Sequence, residues 1–399
     1  MSHRRFRLAL GPMSEQWTGG LEYYRLLRAA FATLPEPERP VTGLISWDDA
    51  GDARRVGDLA DELIVIPAGS SGLSLGRRAL NRAGRSGLPV RAVSTTEKAL
   101  RDWGADALFG TQVFPDAGPV PFVGWIPDFQ YAHVPEAYSP EGAARVHDSS
   151  AAIALSADVL VMSSEAVKAD LARLFPEAAA KARVVRFVSP MPDGIYDRDP
   201  AWVCDEYHLS DRFFYTPNQF WAHKNHHRVL EALQMEPARE AGVIVACSGN
   251  AHDSRNPTFF GELLAAIARA GMRDRLVMLG YVPRAHVLPL MRQSIALLQP
   301  SRFEGWNTGI EEAKSLGKSV LASDLPVHLE QDPPGGVYFR VDDPHDLSER
   351  LAAVWARGRS GPDNELEAHA RASLSQRMQS FARVFLDAAR EAASLARRR

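Results

Sequence analysis

Glu304 and Glu312 stand eight positions apart within residues 295–330, which read IALLQP, SRFEGWNTGIEEAKSLGK and SVLASDLPVHLE. An ionised carboxylate accepts more than one hydrogen bond and can hold a vicinal diol. The loop SRFEGWNTG runs into a stretch with apolar residues at Ile310, Ala313 and Leu316, a helical spacing that Gly317 ends. Free N–H groups and the dipole at such a helix start favour an anion. Two carboxylates beside a ready-made anion site suit a ligand with hydroxyls at both ends and phosphates between them, and a nucleotide-sugar is one. Glu311, beside Glu312, reads as helix surface.

The elements that must position these groups flank them. IALLQ, closed by Pro300, and SVLAS are short apolar runs that predict strands on either side of the helix. A strand–loop–helix–strand unit implies a right-handed crossover between parallel strands, with the loop at the carboxyl end of the first. FFYTP predicts another strand, followed by a loop carrying Asn218, Gln219, Trp221, His223 and Lys224. Asn225 then reads as the cap of a helix with Val229, Leu230 and Leu233 inward. His223 and His227 have a metal-ligand spacing, but Lys224 between them would repel a cation, so no metal is expected. DDPHD, residues 342–346, reads as a helix cap rather than an acidic metal cluster.

Two loops in the first half carry further polar candidates. PFVGWI predicts a strand that ends in a Pro-rich loop, where Asp128 and His133 are the candidates for polar contacts with a ligand. FRLAL predicts the first strand, and Gly19 and Gly20 lie at the start of an amphipathic helix with Leu21, Leu27, Ala30, Phe31 and Leu34 inward. A Gly pair there lets a ligand approach the backbone. The loop lacks the compact G-x-G-x-x-G fingerprint, which counts against a dinucleotide-dependent dehydrogenase.

Residues 299–331, PSRFEGWNTGIEEAKSLGKSVLASDLPVHLEQ without its first glutamine, resemble the Glu-x7-Glu segment of family 4 glycosyltransferases of the GT-B fold. WIPDFQ and NQFWAHKNH resemble motifs of a subset of that family. The resemblance implies that Glu304 approaches the donor sugar and that Glu312 holds the ribose. It implies that backbone N–H groups of Trp306, Asn307, Thr308 and Gly309 meet the diphosphate, together with Lys224. An upstream Arg often accompanies that lysine; here Asn218 or Gln219 stands nearby. Gly19 and Gly20 would reach toward the donor phosphates, and the turn after Gly280, with Tyr281 and Val282, would lie against the base. Tyr131 stands where many of the subset have His, and Pro127 where other members have the His of a His-Asp pair. Glu304, Lys224, Asp128 and His133 are the residues expected to act in catalysis.

At 399 residues the chain exceeds one ordinary domain, and 45% hydrophobic content can fill two cores. A net charge of -3 counts against a dedicated nucleic-acid binder. Two cysteines, Cys204 and Cys247, make no disulfide framework and suit a reducing compartment. The first ten residues do not read as a signal peptide, and no apolar run approaches a membrane span. A cytoplasmic chain is therefore expected, with peripheral membrane contact left open. Arg77, Arg78, Arg82 and Arg85 read either as a solvated helix or as a contact for an anionic acceptor or a membrane surface.

Strand-like and helical runs alternate through both halves, the pattern of an α/β fold. The expected division is an acceptor-side Rossmann-like domain over 1–188, a Pro-rich linker over 189–212 and a nucleotide-sugar-binding Rossmann-like domain over 213–368. In the GT-B arrangement the final helix, 369–399, crosses back to the first domain. The expected reaction is metal-independent, retaining transfer from a nucleotide-diphosphate sugar to a saccharide, lipid-linked or natural-product hydroxyl. GDP-mannose is the lean for the donor, and no cofactor is expected beyond that substrate. A GT-B epimerase, a phosphorylase and a catalytically silent nucleotide-sugar-binding subunit are the alternatives. Intact Glu304, Glu312 and Lys224 count against the last.

Overall fold

The computed structural model describes residues 4–14, 17–47, 58–66, 94–253 and 255–397. The arginines at 77, 78, 82 and 85, and the strand-like run LPVRAV at residues 88–93, lie outside the described residues.

Short apolar runs become buried parallel strands. In the first half, β1 (Arg7–Leu10), β2 (Val41–Ser46), β3 (Glu62–Val65), β4 (Ala107–Gly110), β5 (Phe122–Trp125), β6 (Val159–Met162) and β7 (Ala182–Val184) form one sheet. Its described order is β3-β2-β1-β4-β5-β6-β7, with every pair parallel. In the second half, β8 (Phe214–Pro217), β9 (Val245–Ser248), β10 (Leu276–Gly280), β11 (Leu297–Gln299), β12 (Val320–Ser323) and β13 (Val337–Phe339) form another, in the order β10-β9-β8-β11-β12-β13. Parallel sheets covered by helices on both faces need continuous apolar strands, and VLVM, VACS and VLAS supply them.

The strand order decides where a site can form. Each order reverses direction beside the first strand of its sheet, at β1/β4 and at β8/β11. In open α/β sheets, ligands settle at the carboxyl ends of strands where the order switches. β8 leads into the Lys224 loop and β11 into the Glu304 loop, so two segments 80 residues apart in sequence become neighbours. β5, next to β4, leads into the Asp128 loop.

The last helix, Asn364–Ala396, is capped by Asp363, whose side chain accepts from the N–H groups of Glu365 and Leu366. It follows the second sheet but buries Met378, Phe381 and Phe385 in the core of the first. Phe385 meets Phe109 edge-on at 4.9 Å and Phe31 at 5.8 Å. Buried Arg292 grips Glu367 with Nε and Nη2 at 2.6 and 2.9 Å and donates to Ile195 O at 3.1 Å. A bidentate pair of this kind fixes orientation. It ties this helix to residues 195–198 between the two sheets.

Two local expectations are modified. Helix Thr18–Ala32 starts before its glycines and buries Tyr23 and Tyr24 as well as Leu27, Ala30 and Phe31, while Leu21 is only partly buried. Tyr24 can sit inside because its hydroxyl donates to Gly11 O at 3.0 Å. The run ARVVRFVS, residues 182–189, reads as a strand but keeps strand geometry only to Val184, and Phe187 turns away into the core, where its carbonyl takes a bond from Trp306. Among the described residues no helix is long and apolar enough to cross a membrane.

Candidate functional site

Lys224 ends a short 3-10 turn, Ala222–Lys224, after β8. Its Nζ donates to Glu304 Oε1 at 2.6 Å, and both side chains are largely buried. The same oxygen accepts from Ser301 Oγ at 2.6 Å and from Asn307 Nδ2 at 3.0 Å. Asn307 does two jobs, because its Oδ1 also caps the helix Thr308–Leu316 by accepting from Ile310 N at 2.9 Å. Gln331 clasps Asn307 from behind, accepting from its N at 3.2 Å and donating to its O at 2.9 Å. Glu304 is thus held rigidly at the mouth of a capped helix, with a lysine on it and backbone N–H groups beside it.

Glu312 lies one turn into that helix and is 2% exposed. Burial raises its carboxyl above the ordinary range, and the guanidinium of Arg284, which donates to Oε1, works against that rise. Arg284 is more than half exposed. Any further partner of Glu312 has to share the carboxylate with Arg284 or displace it into solvent.

Glu311 overturns its expectation as helix surface. It is 1% exposed, bonded by Arg377 Nη2 at 2.7 Å and Gln331 Nε2 at 3.2 Å, with Lys314 at 3.3 Å. The helix is covered on that side by the last helix, which supplies Arg377. Asn225 also departs from its expected role. It sits before its helix in the left-handed region (φ 62°), and its side chain donates to Pro300 O at 3.1 Å instead of capping. That bond ties the Lys224 loop to the end of β11.

The Asp128 loop meets the Glu304 loop directly. A Cβ at Gly305 would lie 2.5 Å from Pro127 O and 2.8 Å from Asp128 Cβ, so only glycine permits this approach. Ser164, the cap of helix Glu165–Leu174, donates from Oγ to Gly305 O at 3.0 Å. Asp128 is half-buried, and its Oδ1 accepts from Gln130 N at 2.9 Å. Burial raises its carboxyl, the Gln130 N–H lowers it, the charge of Glu304 raises it, and Lys224 and Arg255 lower it. His133 is exposed, 2.6 Å through Nε2 from Asp170 Oδ2, and stacked on Phe303 at 5.0 Å.

The other residues singled out in the sequence fall as follows. Asn218 donates to Gln299 Oε1 at 2.8 Å beneath the loop, and Gln219 accepts from Asn250 N at 2.8 Å. The Trp306 indole is inserted into the first domain's core, with Nε1 donating to Phe187 O at 3.1 Å, so only its backbone is available for a ligand. Val282 is likewise buried, whereas Tyr281 is 79% exposed. Gly20 packs where a Cβ would meet the Trp17 ring at 2.5 Å, and Gly19 is exposed in the first turn. His223 is buried and its imidazole is held well below its ordinary pKa by burial and then by the charge of Lys224. Asp343 caps helix Pro344–Arg357 through the N–H groups of His345 and Asp346.

Residues the sequence reading passed over complete the cleft. Arg255, from the loop after β9, lies 4.8 Å over the Trp221 ring and donates to Gln130 Oε1 at 2.7 Å. No spacing rule points to it, because its partners come from three separate segments. Ser301 was visible only as part of a motif, with no sign that it would bond Glu304.

Residues 208–369 match the family model of glycosyl transferases group 1. No curated protein sequence matches the chain. Among solved structures, that of Anabaena Alr3699/HepE in complex with UDP and glucose is similar, with a TM-score of 0.63 and 17% identity over 96% of this chain and 99% of that one. A glycosyltransferase from Rickettsia africae gives 0.66 and 14% identity over 98% and 99%. Sucrose-phosphate synthase from Thermosynechococcus elongatus gives 0.63 and 13% identity over 99% of both chains. The chain's two facing α/β domains make the GT-B fold, and the match to the glycosyl transferases group 1 model lies on the second of them.

Proposed function

We propose that the protein transfers a hexose, with retention, from a nucleotide-diphosphate sugar to an acceptor hydroxyl. One observation carries this reading: Lys224 and Glu304 are paired at the N-terminus of the helix whose next turn holds buried Glu312. Glu304 is assigned to the donor sugar, Glu312 to the ribose, and Lys224 with the backbone N–H groups at 306–309 to the diphosphate. As the glycosidic bond breaks, negative charge grows on the diphosphate, and donors already in place stabilise it. The acceptor attacks the same face, and the departing phosphate takes its proton, so no protein nucleophile is needed. That Anabaena HepE holds UDP and glucose supports a nucleotide and a sugar in this kind of cleft. Free, buried Cys204 and Cys247 go with a cytoplasmic location.

The reading is tested by a thermal-shift panel of UDP, GDP, ADP and TDP, followed by transfer assays that start with GDP-mannose. A nucleotide that binds only the folded state raises the melting temperature. If no nucleotide diphosphate shifts it, the donor site is misassigned. Donor turnover without any acceptor product, yielding an isomerised sugar-nucleotide, would favour an epimerase instead.

Two further results are expected. Glu312→Ala raises the donor KM by roughly ten- to a hundredfold, the worth of a hydrogen bond to a charged group, about 1.5–3 kcal/mol. Ribose hydroxyls do not change charge during transfer, so turnover at saturating donor stays near normal. Abolished turnover would instead put Glu312 in the chemistry. Separately, excess chelator leaves the rate unchanged, since charge neutralisation is assigned to Lys224 and the helix start. Loss of activity with EDTA, restored by manganese or magnesium, would refute that assignment.

A further inference from the structure

We propose that Arg255 is a positioning residue for the transfer reaction, reaching from the second domain across the cleft to hold the Asp128 loop of the first domain against the Lys224–Glu304 pair. The inference rests on the donor-site reading above and adds to it a residue outside its motifs.

The base of the arm is fixed within the second domain. Asp253 is buried and binds the guanidinium twice, at 3.0 Å through Nε and 3.3 Å through Nη2. The guanidinium lies 4.8 Å from the centre of the Trp221 ring and 5.6 Å from that of Tyr138. A planar fork held by three neighbours loses little freedom when its tip makes one more bond. That tip crosses the cleft, where Nη1 donates to Gln130 Oε1 at 2.7 Å. The same oxygen accepts from Tyr138 Oη at 2.8 Å. Gln130 in turn holds Asp128 Oδ1 with its backbone N–H at 2.9 Å. A continuous relay therefore runs from Asp253 through Arg255 and Gln130 to Asp128. Arg302 and Glu136 make another bridge between the domains at 3.1 Å, but both side chains are about half exposed, and such pairs hold little.

The relay also has an electrostatic side. Asp128 faces the carboxylate of Glu304, the ammonium of Lys224, the phenol of Tyr138 and the guanidinium of Arg255. Burial and the like charge of Glu304 favour its protonated form, whereas the Gln130 N–H, Lys224 and Arg255 favour the ionised one. Arg255 thus fixes where Asp128 sits and helps to keep it charged beside Glu304.

The test uses the full chain and the variants Arg255→Gln, Arg255→Lys and Gln130→Ala, assayed with whichever donor the nucleotide panel identifies. With Arg255→Gln, turnover falls about a hundredfold, the scale for a displacement of roughly 1 Å in a reacting group. The donor KM is little changed, and, because the proposal takes the carboxylate of Asp128 as its working form, the acid limb of the turnover profile moves to higher pH as Asp128 takes up its proton sooner without the neighbouring cation. Gln130→Ala cuts the tie but keeps the cation, so turnover falls while the acid limb stays. Arg255→Lys retains the charge and keeps the limb in place, with part of the turnover restored. A raised donor KM with unchanged turnover in Arg255→Gln would make the residue a donor anchor and overturn the proposal. Unchanged turnover and pH profile would overturn it equally. A readout independent of activity is the titration of Asp128 by carbon-13 NMR of labelled aspartate, assigned with Asp128→Asn. If no donor is turned over by the wild type, the function reading fails on its own, while a higher Asp128 titration point in Arg255→Gln still supports the relay. An unmoved titration point overturns it.

Discussion

Replacing Lys224 with alanine is expected to lower turnover by about two to three orders of magnitude, the usual loss for one preorganised charge stabiliser. The structure adds a reason why the loss falls on the chemical step. Lys224 Nζ is held 2.6 Å from Glu304 Oε1, a tether that fixes its position for the moment of bond breaking. Charge on the diphosphate grows between ground and transition state, and a contact that strengthens with that charge raises kcat rather than merely tightening binding. A second consequence concerns Glu304, which loses a charged partner but keeps Ser301 Oγ and Asn307 Nδ2 on the same oxygen. It should remain in place, and Lys224→Ala should fold normally by circular dichroism. Lys224→Arg restores only part of the rate, since a planar fork does not reproduce a compact ammonium in a site built around one oxygen. Steady-state kinetics at saturating donor decide the matter. Near-normal turnover in Lys224→Ala would remove Lys224 from the diphosphate site.

What was legible in the sequence follows a physical line. Short apolar runs announced the strands, because a parallel sheet buried on both faces needs them, and loops at their carboxyl ends announced where chemistry could sit. Glu304 and Glu312 could be singled out on those grounds, whereas the role of Lys224 came from the resemblance of its motif. Their meeting depended on strand order, which local pattern does not encode: β8 and β11 are neighbours although β9 and β10 come between them in sequence. Glu311 was misjudged for a related reason. A charged residue on a helix normally faces solvent, but here the partner that makes burial tolerable is Arg377, on a helix that arrives 66 residues later. Tyr23 and Tyr24 were overlooked as core because their hydroxyls mark them as interfacial, while the fold places both rings against Phe109 at 6.0 and 5.9 Å. Arg255 left no trace in spacing, because beyond nearby Asp253 its partners come from elsewhere: Trp221 from the loop after β8 and Gln130 from the other domain.

The Glu304 loop takes its stiffness from a residue whose side chain never faces the ligand, and Trp306→Ala should expose that. The loop belongs to the second domain, yet the Trp306 indole is buried in the first domain's core, edge-on to Phe187 at 6.4 Å and bonded to its carbonyl at 3.1 Å. Truncating a buried tryptophan to alanine removes its apolar contacts and leaves a cavity, a loss of about 3–5 kcal/mol. Because the removed side chain spans two domains, the loss falls on their docking as well as on one core. Trp306→Ala should therefore unfold less cooperatively than the wild type, with separate transitions each closer to the behaviour of one domain. Trp306→Phe keeps most of the ring but leaves the Phe187 carbonyl without its donor, a cost of about 1–3 kcal/mol. It should melt between the wild type and the alanine variant. Kinetics measured well below both melting temperatures separate stability from positioning. Gly305 on one side and Asn307 on the other carry the contacts that seat Glu304 against Asp128 and Lys224. Freeing the indole lets that loop drift, and a shift of roughly 1 Å in a reacting group costs about a hundredfold in rate. Trp306→Ala is therefore expected to lose turnover while still folded, with the donor KM moving less because Glu312 sits on the rigid helix beyond. If calorimetry shows one unshifted transition and turnover is intact, Trp306 is a passive filler and the loop is held by Gln331 and Ser164 instead.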